Sequence, residues 1–104
     1  MTDKRIVLST AGSQAEAEKI AQALVERRLA ACVNVLPIHS VYRWQGKVES
    51  AAEFLLIIKT TAARYAQVET AIRELHSYDL PECVQIAIEA GSQKYLDWIA
   101  DSVK

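Results

Sequence analysis

Between Ala30 and Thr60 two long strand-like runs flank a single turn pair, Gln45-Gly46. The first is Ala31-Ala-Cys-Val-Asn-Val-Leu-Pro-Ile-His-Ser-Val-Tyr-Arg-Trp44, and the second is Lys47-Val-Glu-Ser-Ala-Ala-Glu-Phe-Leu-Leu-Ile-Ile-Lys-Thr60. A two-residue turn with Gly in second place supplies the positive φ that tight hairpins need. Extended chain rises about 3.3 Å per residue, so a strand of about fourteen residues reaches roughly 40 Å. A compact domain of about 100 residues is only roughly 30–35 Å across. The hairpin therefore outgrows its own domain, and its tip is expected to be exposed or packed on another chain.

The 104 residues are expected to form one domain, 1–104, with a core that needs no staples. A formal net charge of -1 argues against a nucleic-acid partner, because neutralising phosphates takes a clustered basic excess. Arg27-Arg28 falls instead where a helix C-terminus favours cations. No apolar run approaches the roughly 18–20 residues of a membrane span, so no membrane partner is expected. Met1-Thr-Asp-Lys-Arg5 runs straight into a strand pattern without signal-peptide architecture, and the expected compartment is the cytoplasm. Cys32 and Cys83 are far apart and are expected as reduced, mostly buried thiols.

Ile6-Val-Leu8 suits a buried strand within Lys4–Thr10. Ser13-Gln-Ala-Glu16 matches a capping box, and Ala17, Ile20, Ala21, Leu24 and Val25 follow at helical spacing, so a helix is expected from about Gln14 to Arg28. Pro37 marks a bulge or kink in the first hairpin strand. Thr60 or Thr61 can cap a second helix with the stripe Tyr65, Val68, Ile72 and Leu75. His76-Ser-Tyr-Asp-Leu-Pro-Glu82 is loop-like, Cys83–Ala90 alternates as a strand, and Gly91-Ser92 opens a last helix with Tyr95, Leu96, Trp98 and Ile99. The order is an α+β, ferredoxin-like βαββαβ with a long hairpin of its second and third strands and an extra C-terminal helix. Right-handed crossovers put both main helices on one face, with the first and third strands central. Yet Phe54-Leu-Leu-Ile-Ile58 and Ile6-Val-Leu8 are apolar on both faces, so the face without helices calls for cover, and self-association is the economical source.

Signatures of catalysis are missing. There is no Gly-x-Gly-x-x-Gly, Walker loop or Gly-x-Ser-x-Gly elbow, and Ser9 and Thr10 have no sequence-encoded base. The chain is read as a non-enzyme. His39, His76, Cys32, Cys83, Asp79 and Glu82 are ligand types without metal-binding spacing. The loop 76–82 gathers an imidazole and two carboxylates that suit a divalent cation; the plainer reading is a Pro-rigidified connection. Tyr42, Arg43 and Trp44 at the tip fit an interface anchor or a ligand shelf, with anchoring the first reading. Lys59 snorkels to water, or meets Glu49, Glu53 or an anion.

Five ordered motifs, Arg28-Leu-Ala-Ala-Cys-Val-Asn34, Tyr42-Arg-Trp-Gln-Gly-Lys47, Leu55-Leu-Ile-Ile-Lys-Thr60, His76-Ser-Tyr-Asp-Leu-Pro-Glu82 and Tyr95-Leu-Asp-Trp-Ile99, resemble those of the CutA divalent-cation tolerance proteins over essentially the whole chain. The resemblance implies a stable homotrimer with an architecture like that of the PII signalling proteins, and a link to tolerance of copper and other divalent cations. The family's copper site has a Cys near the end of the first strand and a His pair before the loop. Ser9 and Leu75-His76 stand at those places here, and Ser77 replaces the usual Pro, leaving His76 as the candidate metal ligand. The resulting expectation is a homotrimeric, non-catalytic tolerance protein that binds copper, zinc or a small ligand at clefts between subunits, with Tyr42, Arg43, Trp44, Lys59 and Glu82 as cleft residues. The alternative is a PII-like regulator that binds an anionic effector through Lys59, Arg43 and Lys47. An acylphosphatase lacks its Arg in Ser9-Thr-Ala-Gly-Ser13, and an RNA-recognition sheet lacks its aromatics apart from Phe54.

Overall fold

The computed structural model describes residues 1–104. In chain order it comprises β1 (Lys4–Ala11), α1 (Gln14–Glu26), β2 (Cys32–Trp44), β3 (Lys47–Thr61), a 3-10 turn (Ala62–Arg64), α2 (Tyr65–Leu75), β4 (Val84–Ala87) and α3 (Gln93–Ser102). The four strands form one sheet in the order β2-β3-β1-β4, with every neighbour antiparallel.

The hairpin is as long as its sequence demands. Gln45 at φ 50° and Gly46 at φ 78° make the two left-handed residues of a tight turn between Trp44 and Lys47. Pairing then runs without a break from Trp44↔Lys47 to Cys32↔Lys59, so the molecule measures 44 × 25 × 22 Å. The bulge expected at Pro37 is not there: Pro37 pairs in register with Phe54. β2 is the outermost strand, and on a free edge a missing N–H breaks no ladder.

Helix boundaries follow local capping. Ser13 Oγ accepts the Glu16 N–H at 3.2 Å and starts α1. The helix stops at Glu26, two residues short of expectation, because Arg28 adopts φ 58°. Leu29 N–H then reaches Leu24 O at 2.9 Å and Arg28 N–H reaches Val25 O at 3.0 Å, the double bond of a Schellman end. Neither expected threonine caps α2. The Thr60 hydroxyl is buried and donates to Leu29 O at 2.6 Å, and Thr61 precedes the 3-10 turn without a side-chain bond. β4 is also shorter than expected, although Ile88 N–H still pairs with Lys4 O at 3.1 Å.

Register assigns the faces. Val7, Ser9 and Ala11 share one face with Leu56 and Ile58, and there Ile20 and Leu24 of α1 and Val68 and Ile72 of α2 close the main core. Ile6 and Leu8 share the opposite face with Ile57, Val84 and Ile86. That face is not wholly bare. Leu96, Ile99 and Val103 form a second core with Ala31 and Ile88, so α3 covers one end of it. Val84 and Ile86 remain half exposed, and so do Leu36, Tyr95 and Trp98.

Candidate functional site

The loop between α2 and β4 is held by its first residue. His76 N–H completes the helix at Ile72 O, 2.9 Å away, and its side chain is fully buried. Nε2 lies 2.6 Å from Thr10 O and can only donate there. Nδ1 accepts the Tyr78 N–H at 3.1 Å, so the ring proton sits on Nε2. Glu16 Oε1 is 3.5 Å from Nδ1 and accepts the Ser77 hydroxyl at 3.1 Å, tying the loop to α1 as well.

This fixes Tyr78. Its ring lies against His76 with centroids 4.6 Å apart, and its hydroxyl turns inward to donate to Glu53 Oε2 at 2.9 Å. Gly12 makes room, because a Cβ there would stand 3.0 Å from the phenol oxygen. Burial, and then the bond to Glu53, push the Tyr78 phenol up to about 12. Glu53 itself is 8% exposed, on the strand face opposite α1 and α2.

Beyond this pair opens a groove of about 760 Å³. Tyr42 and Trp44 of β2 form one wall, Tyr78, Asp79, Leu80 and Glu82 of the loop form the other, and Glu53 and Thr10 lie between. The lining carries three carboxylates and no Lys or Arg.

Of the expected cleft residues, Tyr42, Trp44 and Glu82 meet in this groove. Arg43 does not: it pairs with Val48 on the other face of the ribbon. Lys59 does not either. It sits beside Cys32 and Ile6, roughly 20 Å along β3 from Glu53, and its ammonium donates to Asn34 Oδ1 rather than to Glu49 or Glu53. Cys32 and Cys83 are free and half buried. Glu53 and Tyr78 were not singled out from sequence as a pair. The available signal was a carboxylate sharing alternation, and hence a face, with Leu55 and Ile57.

The residues of this chain by itself do not fit copper or zinc. Both nitrogens of His76 already serve Thr10 and Tyr78, and no three His, Cys, Asp or Glu side chains gather as a metal needs. Ser9 lies sealed in the main core with its Oγ unpartnered.

The family model described as CutA1 divalent ion tolerance protein matches residues 5–102. The chain belongs to the CutA1 family. The divalent-cation tolerance protein CutA of Archaeoglobus fulgidus is 46% identical over 95 residues, covering 91% of this chain and 93% of that protein. A solved CutA structure from Archaeoglobus fulgidus superimposes with a TM-score of 0.95 at 44% identity, covering 97% of this chain and 99% of that one. The chloroplastic protein CutA of Arabidopsis thaliana is 41% identical over 100 residues, 95% of this chain and 55% of that protein. The relatives from Archaeoglobus fulgidus and Thermus thermophilus are named as divalent-cation tolerance proteins, not as enzymes. The cytoplasmic expectation is corrected by these relatives: the Archaeoglobus structure is named periplasmic and the Arabidopsis protein chloroplastic. A soluble-looking N-terminus carries no address by itself.

Proposed function

We propose that this CutA1 chain acts as a non-catalytic homotrimer in divalent-cation tolerance, with its ligand groove completed at a subunit boundary. One observation carries this reading. The end of the hairpin exposes Val41 by 69% and Val48 by 66%, and half exposes Tyr42 and Trp44, far more apolar surface than a free ribbon tolerates. An arm that packs on a different patch of its neighbour makes a head-to-tail contact, and such contacts must close in a ring to stay finite. The strand order and the two helices on one face support the ferredoxin-like reading, and family resemblance supplies the number three.

The acidic lining favours a cationic ligand. Copper or zinc, if held, draws ligands from more than one subunit, because a single one lacks the set. The PII-like reading places Lys59, Arg43 and Lys47 on one anion. Lys47 and Lys59 are at opposite ends of the hairpin, roughly 40 Å apart, so these cations meet only across subunits. Native mass spectrometry of the apo protein with copper, zinc and small anions separates the two. A trimer that takes up cations supports the first reading, a trimer that takes up only anions replaces it with the second, and a monomer overturns both.

A further inference from the structure

The Glu53 carboxyl finds little company within its own chain. The residue is more than nine-tenths buried, and the Tyr78 hydroxyl is the donor it has. It takes no part in the side-chain ion pairs, which are Lys4–Asp3, Arg73–Glu69 and Lys104–Asp101. Its second oxygen is not sealed in, since Ser9 Oγ is the one buried side-chain atom without a partner. Glu53 is also one of the residues that line the groove. A buried carboxylate is costly unless a cation or several donors meet it.

The walls narrow the choice of cation. A bare divalent metal asks for several converging hard ligands, and no three such groups gather. Tyr42, Trp44 and Tyr78 instead present aromatic surface, which attracts cations of low hydration at ring distances of about 6 Å or less. Leu80 and Val41 add apolar lining, and Asp79 and Glu82 keep the mouth negative. The volume of about 760 Å³ falls in the range of about 300–1,000 Å³ typical of small-molecule sites. We propose that the groove binds a small organic ammonium ion, its charge met by Glu53 and its carbon groups by Tyr42, Trp44 and Tyr78. This deepens the reading of the groove as the ligand site and rests on it.

The test is calorimetric titration of the full chain with choline and with putrescine, while native mass spectrometry of the same samples reads the assembly. Fluorescence in a Trp98→Phe background reports the groove through Trp44. Saturable binding is expected, weakened about tenfold or more by Glu53→Gln and left unchanged by Glu18→Gln, an exposed carboxylate on α1. If Glu53→Gln alters the circular dichroism, Asp79→Asn and Tyr42→Ala carry the comparison, each expected to weaken binding. A trimer that binds neither amine overturns the inference and leaves the cation-tolerance reading standing. Binding at parental strength by the groove variants overturns it too. A monomer that binds amines through Glu53 sustains it and overturns the trimer.

Discussion

A carboxylate taken out of water needs company, and Glu53 has one phenol for it. Tyr78→Phe removes that donor and is expected to cost about 1–2 kcal/mol at neutral pH, read by urea denaturation. The same substitution changes the alkaline limb. A phenol raised from 10 to about 12 holds its proton longer in the folded state, so its stabilisation is complete below pH 10 and is lost as pH rises toward about 12. In Tyr78→Phe that fall is expected to be shallower. It does not vanish, because burial and the neighbouring Cys83 also raise the Tyr65 phenol. Ser9 is the opposite case. Its hydroxyl lies in the main core with no partner, so Ser9→Ala is expected to stabilise by about 1 kcal/mol, seen as a higher urea midpoint at an unchanged slope. Neither site was legible in the sequence. Glu53 and Tyr78 are 25 residues apart and meet because His76, bonded at both nitrogens, drops the loop over Gly12. No local pattern encodes that drop.

Elements were far more legible than their junctions. Alternation and helical spacing placed every strand and helix, and Gln45-Gly46 placed the turn. What periodicity cannot carry is the conformation of a single residue at an end. Arg27-Arg28 looked like cations serving their own helix. Arg28 instead turns left-handed to finish α1, and its guanidinium donates to Asp101 O at 2.7 Å and Lys104 O at 3.1 Å, across the molecule at the end of α3. Two substitutions separate these roles. Arg28→Ala loses the guanidinium and keeps the strained φ, whereas Arg28→Gly loses it and relieves the strain. The Gly variant is expected to be the more stable by about 1 kcal/mol in thermal unfolding. Similarly, the spacing of Leu96 and Ile99 announced a helix but not that it would cap one end of the second sheet face. A helix stripe records that it is buried, not against what.

At the scale of the molecule, the long ribbon that draws the chain out to 44 Å by 25 Å was the part most plainly written in the sequence. Trp44, half exposed near its end, serves on this reading the assembly as well as the groove, and not the fold. Trp44→Ala is therefore expected to leave the far-ultraviolet spectrum of the subunit unchanged and to weaken association by about 2 kcal/mol or more per contact, measured by light scattering on dilution. Equal association of parent and variant counts against the arm as an anchor.

The unbroken β2–β3 register also sets an order in time. Its pairs zip outward from Gln45-Gly46 through neighbours in sequence, which takes on the order of microseconds. β1 must wait for a strand about 50 residues away, and β4 must return to β1 across about 80 residues, both slower closures. The arm is thus finished before the body that carries it. On the trimer reading, the chain presents its adhesive limb first during synthesis or refolding, so the yield of correct particles is expected to depend on how crowded the solution is while the rest catches up.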